Sequence, residues 1–376
     1  MIADNAWLDG LIRMGIIALA MPLSVIILTY VERKVSGRLQ QRLGPMRVGP
    51  YGILQGLADT IKLLTKEDLR PQTADRWTFE LAPFAVMVPV FLAFVTLPFT
   101  ADLFVRNLGL GLFFIVAVSG VSIVGFVMAG WGSDNKYALL GGARAAAQLI
   151  SYEIPLVLAV VAVAMIAYTP EAGRGSLNLV EIVDGQGRVP FIVWQPLAFF
   201  IFLVAGLAEL YRQPFDIPVA ESEVVGGPFI EYSGIRWSMF QMAEFVSMVL
   251  ISVLAALLFL GGWNWPLGNG AGIALQLPLI FVKTSFFILL FIWLRFSLPR
   301  LRIDQMMQFC WQVLLPFALL QIIINGWVLV YGWPDWTLGV SSGALTLVAG
   351  YLTYRAARQA AEEPVSPRLH RVGSVL

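Results

Sequence analysis

Stretches of about twenty mainly apolar residues recur along the whole chain, separated by short polar segments, and no other feature limits the fold so strongly. A run of that length spans the ~30 Å hydrocarbon layer of a bilayer as a helix, and in lipid only helices and closed barrels satisfy their own backbone. Nine spans are expected, at 11–31, 81–99, 110–131, 142–168, 192–210, 240–262, 275–296, 312–332 and 336–354. Hydrophobic residues make up 58% of the 376, well above the roughly 45–50% of ordinary globular chains. The sequence therefore predicts an all-α integral membrane protein with about nine transmembrane helices and one polytopic domain over 1–354. The polar residues 355–376 read as a disordered cytoplasmic tail. The opening MIADNAWLDG lacks the basic region of a signal peptide, so the first span is expected to be retained.

Orientation follows from the basic residues. Of the 25 Lys and Arg, twenty fall in the segments 32–79, 132–144, 211–239, 295–311 and 355–376. The opposite segments, with Arg13, hold Arg106, Arg174 and Arg188, and Lys283 lies inside a span. The N-terminus is expected outside and the C-terminus in the cytoplasm. Trp263, Trp265, Trp333 and Trp336 then fall at the outer interface, where amphipathic rings are favoured. The first cytoplasmic segment opens on a basic run with Arg33 and Arg38, which anionic lipid alone could hold. It continues as GILQGLADTIKLLTKED, with Ile53, Leu57, Ile61 and Leu64 on one helical face and Asp59, Lys62 and Lys66 on the other. That pattern describes an amphipathic helix lying in the interface or against a partner.

Only 13% of residues are charged, so charges within apolar runs stand out. Glu153, Glu209, Glu244, Lys283 and Arg295 lie inside or at the ends of spans, where each needs a partner or a water-filled path. Local pairing or snorkelling suits Arg295. Glu153 suits a functional role, and Lys283 suits either a buried partner or a relay. The cytoplasmic stretch PFDIPVAESEVVGGPFIEYSGIRW sets Asp216, Glu221, Glu223 and Glu231 among apolar, Gly and Pro residues rather than the Ser, Lys and Gln of an exposed linker. Such a segment is expected to fold back and bring its carboxylates into a partly desolvated cavity. Clustered, desolvated carboxylates have raised and coupled proton affinities, which suits a proton relay. One cysteine, Cys310, and one histidine, His370, exclude a disulfide framework and any Cys/His metal or iron–sulfur site. Net charge is +1 and no phosphate-binding glycine loop is present, so neither nucleic acid nor nucleotide is an expected ligand.

Five motifs in order go further: VERKVSGRLQQRLGPMRVGPYGILQGLADTIKLL, AQLISYEIP, LAELYRQPFDIPVAESE, EYSGIRW and LRFSLPRLRIDQMMQFCW. Together, over roughly residues 13–330, they resemble the H-subunit family of bacterial NADH-quinone oxidoreductase, the respiratory complex I. The resemblance implies a multi-pass component of the bacterial inner membrane that forms much of a quinone chamber and the first part of a proton-coupling path. Quinone would be the substrate. NADH, FMN and the iron–sulfur clusters would belong to partner subunits of the membrane and hydrophilic arms. By motif it implies a proton-coupling role for Glu153, Glu209, Asp216, Glu221, Glu223, Glu231 and Glu244, with Lys283 a further candidate. It places Arg33, Arg38, Asp59 and Arg212 at the chamber or its entrance, and Arg295, Arg300, Arg302 and Asp304 in a loop against the hydrophilic arm. A membrane subunit of an ion-pumping hydrogenase without quinone is the alternative, since it shares the acidic motifs. The family usually has glutamate where this chain has Val219. If Pro218 begins a helical turn, residue 219 shares a face with Glu223, and its loss as an acid should lower the proton affinity of Glu223.

Overall fold

The computed structural model describes residues 6–169, 173–187, 189–264 and 272–362. Fourteen α-helices are found among them, with two short 3-10 turns and one two-residue antiparallel ladder, β1 (Tyr168–Thr169) with β2 (Gly173–Arg174). The helices are α1 (Ala6–Leu39), α2 (Gln55–Thr65), α3 (Arg76–Ala93), α4 (Gly111–Gly132), α5 (Lys136–Ile166), α6 (Leu179–Asp184) and α7 (Phe191–Trp194). They continue as α8 (Pro196–Glu209), α9 (Glu221–Val224), α10 (Gly234–Phe259), α11 (Ile273–Ser297), α12 (Ile303–Phe309), α13 (Leu315–Tyr331) and α14 (Trp336–Glu362). A π-helical turn at Cys310–Leu314 joins α12 to α13 in one continuous rod.

Seven of these rods are long and apolar enough to cross a membrane: α1, α3, α4, α5, α10, α11 and α12–α13. The all-α membrane class therefore holds, while the count of nine is not established. The fifth expected span is α8, whose 14 residues reach only about 21 Å at 1.5 Å per residue. The ninth is α14, which forms but, rich in Gly, Ser and Thr, is not among the seven. It also runs to Glu362, into the segment expected as a disordered tail; residues 363–376 lie outside those described.

Two central helices organise the packing. In its most apolar window α10 is 78% buried and α5 61%, against 6% for α1. Helices α4, α8 and α13 pack around α5, and α10 packs against α1, α3 and α11. The outer face of α1 (Leu11, Ile16, Leu19, Leu23, Ile27) is left exposed, a stripe suited to lipid or another membrane helix. Prolines sit inside five of the long rods, at Pro22, Pro83 and Pro89, Pro155, Pro278 and Pro316, where neighbouring helices can take up the freed carbonyls. Helix α2 forms as expected, with Leu57, Ile61 and Leu64 exposed on one side. It is tied to α1 by Arg33, whose Nη1 donates to Asp59 Oδ2 at 2.5 Å. Burial raises the Asp59 pKa, but Arg33, Gln55 and Lys62 outweigh it and hold the carboxyl below its usual value. The link is therefore complete above the ordinary Asp range and is lost as pH falls through the lowered pKa. Of the expected interfacial tryptophans, Trp333 and Trp336 are exposed, Trp263 is buried and Trp265 lies outside the described residues.

Candidate functional site: an acidic cavity and a buried ion chain

Buried amides and hydroxyls bind α5 to the C-terminal end of α8 and to the rod of α12 and α13. Gln148 Nε2, on α5, donates to Ala208 O at 2.7 Å and to Phe215 O at 2.8 Å, fixing the end of α8 and the loop beyond it. One turn further, Tyr152 Oη donates to Met306 O at 3.0 Å, and Cys310 Sγ to Ser151 O at 3.0 Å. The far end of α8 is held as well, since Leu197 N donates to the buried Ser342 hydroxyl of α14 at 3.0 Å.

Between these helices lies a cavity of about 580 Å³. Five carboxylates line it: Glu153 of α5, Glu209 at the end of α8, Asp216 and Glu221 of the following segment, and Glu244 of α10. Arg295 and Arg300 line it too, with Tyr211, Gln213, Gln241 and several serines. Space for the Glu153 carboxylate comes from α4, where a Cβ on Gly120 would lie 2.5 Å from Glu153 Oε1. Asp216 accepts from Arg300 Nη2 at 2.7 Å. Burial raises the Asp216 pKa, and Arg300 and Arg295 oppose but do not cancel that rise. A second cavity of about 710 Å³, between α1, α10 and α11, is apolar and has no carboxylate in its wall.

Below the acidic cavity runs a chain of alternating charge. Arg212 Nε donates to Glu244 Oε1 at 3.0 Å, and its Nη1 lies 2.9 Å from Glu32 Oε2. Glu32 also accepts from Arg295 Nη1. Arg212 is only 1% exposed and Glu32 7%, so each charge depends on its neighbours for compensation. The Arg212 guanidinium also lies 5.0 Å from the Phe245 ring centroid. Arg295, expected in a loop, stands instead in the last turn of α11, where it is part exposed and pairs with Glu32.

The structure brings together Glu153, Glu209, Asp216, Glu221 and Glu244, and joins Arg212 to them through Glu244. It places the other candidates elsewhere. Glu223 is exposed and paired with Arg144 at 2.5 Å, and Glu231 accepts from Asn135 Nδ2 at 2.7 Å. Neither lines the cavity, whereas Glu221, which opens helix α9 and is exposed as well, does. Val219 lines the cavity but precedes that helix, so it does not share a helical face with Glu223, and the expected coupling of the two positions does not hold. Lys283 donates to Leu260 O, Gly262 O and Asn264 O at 2.7 Å each. That uses all three ammonium donors on the chain leaving α10, away from the cavity wall. Arg38 is exposed at the end of α1, Arg302 caps α12 and Asp304 stands in the first turn of α12. No group of three or more His, Cys, Asp or Glu suited to a metal occurs among the described residues.

Sequence reading missed Glu32, Gly120 and Tyr211. Glu32 had a visible signal, a lone carboxylate closing an apolar run beside the basic ERK segment. Gly120 had none, since its role depends on which face of α4 meets α5.

A family model described as NADH dehydrogenase matches residues 12–326. The chain belongs to that family. Among curated relatives it is 44% identical over 338 residues to the NADH-quinone oxidoreductase H subunit numbered 2 of Rhizobium meliloti, covering 85% of this chain and 99% of that protein. It is 46% identical over 302 residues to the H subunit of the Brevibacillus brevis enzyme, covering 80% and 88%. Against the H subunit from Anoxybacillus flavithermus it is 47% identical over 318 residues, covering 83% and 93%. The matched region of this NADH dehydrogenase family member ends within α13 and so leaves α14 outside it.

Proposed function

We propose that, as the membrane subunit of an NADH-quinone oxidoreductase that its family membership indicates, this chain forms much of the quinone chamber and the first stretch of the proton path. Quinone is the substrate, and NADH, FMN and the iron–sulfur clusters sit on partner subunits of the membrane and hydrophilic arms. The observation behind this reading is the single cavity walled by five carboxylates, joined at Glu244 to a buried chain of alternating charge. A quinone reduced by one electron is anionic. At about 10 Å and an effective dielectric of about 20, that charge is worth about 1.7 kcal/mol to a carboxylate, slightly more than one pKa unit. Carboxylates of similar proton affinity redistribute protons in response, and the arginines keep the cavity from becoming uniformly negative. This chain's residues then bind, bias and pass protons, while the electron chemistry stays on partners. Glu223, Glu231 and Lys283 belong to the surrounding support in this scheme, and Arg33, Arg38 and Asp59 to the entrance beside α2.

Glu221 and Glu223 separate cavity from rim. Glu221→Gln is expected to lower quinone reduction and proton transfer by the purified complex, because it removes an ionisable group from the cavity wall. Glu223→Gln removes a part-exposed ion pair worth about 0–1 kcal/mol and should change little. Equal effects of the two substitutions on proton uptake in liposomes would contradict the assignment.

The orientation proposed for the chain, N-terminus outside in the bacterial inner membrane, follows from the basic asymmetry. Val225 suits a test of it, being exposed at the C-terminal end of α9, whereas any side chain at Gly227 would collide with Pro218 O. Val225→Cys is expected to react with a membrane-impermeant maleimide in inverted vesicles only, and labelling of intact cells would reverse the topology.

A further inference from the structure

Tyr211 follows closely on the end of α8 and adopts φ +50°, the left-handed conformation that glycine fills at least strain at a helix C-terminus. A bulky ring there works against the backbone. Its packing is ordinary, an edge contact with Phe126 at 4.7 Å between centroids, which a phenylalanine would also make. The hydroxyl is the unusual part. It is shielded from solvent and has no hydrogen-bond partner among the described residues, yet Tyr211 lines the acidic cavity with Glu209 two residues behind it. Burial, and then the Glu209 carboxylate, hold the phenol well above its ordinary pKa, so it is neutral and keeps both a proton and lone pairs.

We propose that the Tyr211 hydroxyl is a proton-transfer link of the acidic cavity. A protonated carboxyl on one side, directly or through water, gives its proton to the phenolic oxygen as the phenol's own proton leaves to a carboxylate on the other side. One O–H bond forms as one breaks. The donor ends as a carboxylate, the acceptor as a carboxylic acid, and the phenol neutral as it began. Glu209 is one flank of the link, and the remaining cavity carboxylates supply the other. This inference rests on the proposed proton path through the cavity. It differs from a structural role in one respect. A hydroxyl that bonds to none of the described residues adds no bond to the fold they form, so a purely structural Tyr211 is replaceable by phenylalanine without loss.

The test uses the whole purified complex in quinone-containing liposomes, reading protons taken up per NADH oxidised, with thermal unfolding of the complex as a second measurement. Tyr211→Phe is expected to leave the unfolding temperature unchanged and to lower the proton ratio severalfold. Tyr211→His, which offers a donor and an acceptor and tolerates the left-handed conformation, is expected to recover much of it. A normal ratio in Tyr211→Phe overturns the proposal, and so does loss of assembly in that variant or failure of histidine to restore coupling. Glu209→Gln beside them separates the two levels: if it also pumps normally, the proton path itself is misplaced, whereas if it is defective while Tyr211→Phe is normal, only the tyrosine link fails.

Discussion

Replacing Arg212 with methionine is expected to prevent accumulation of the assembled complex. The guanidinium is fully buried between Glu244 and Glu32, and methionine fills similar volume without charge. The buried Glu32 would then keep only Arg295, and the part-buried Glu244 would lose its ion-pair partner. Breaking a buried ion pair by removing one partner costs about 3–5 kcal/mol, a large part of a typical domain's stability. Lysine is not an adequate substitute, since one ammonium cannot reproduce the fork that meets two carboxylates from different helices. Native gel electrophoresis of membranes from the variant checks this. Normal amounts of intact complex would show that the ion chain is dispensable for folding.

The second large effect is expected at Gly120, and it should appear in coupling rather than in stability. Alanine is the better helix former by about 1 kcal/mol, so Gly120→Ala should assemble at least as well as the parent. Its Cβ, however, would stand 2.5 Å from Glu153 Oε1 and push that carboxylate from its place in the cavity wall. A misplacement worth about 1.4 kcal/mol on a proton-transfer step gives about a tenfold loss of rate. Quinone-linked proton uptake by Gly120→Ala, measured beside Gly120→Ser, reports it; a normal rate in both would mean that Glu153 tolerates displacement.

The membrane class was legible because apolar length is a local property, and a reading of twenty-residue runs needs no knowledge of neighbours. It faltered at α8, where residues 192–210 have the composition of a span but Gln195 and Pro196 divide them, leaving a 14-residue helix. Membership of the cavity was legible for Glu153, Glu209, Asp216, Glu221 and Glu244, each an acid that the surrounding apolar sequence could not tolerate unpaired. Glu223 has the same local signature as Glu221 and both are exposed, yet Glu221 lines the cavity while Glu223 pairs with Arg144 outside it, a difference set by the fold rather than by residue type. Lys283 suited either a buried carboxylate's partner or a relay, because a buried lysine is rare. Its partners are backbone carbonyls, and those are invisible to any reading of residue types. Glu32, on α1, and Arg212, in the segment after α8, are far apart in sequence and meet only through the way these elements pack.

The central claim is that the acidic cavity passes protons in response to quinone reduction. Its most direct test is the number of protons taken up per NADH oxidised by liposomes containing the Glu209→Gln complex, with NADH oxidation by a soluble acceptor as the measure of intact electron input. Glutamine keeps the size of the side chain and removes its titration. The account predicts that electron input is retained while the proton ratio falls well below that of the parent. A parental ratio at a parental rate would contradict it and would place the proton path outside this cavity.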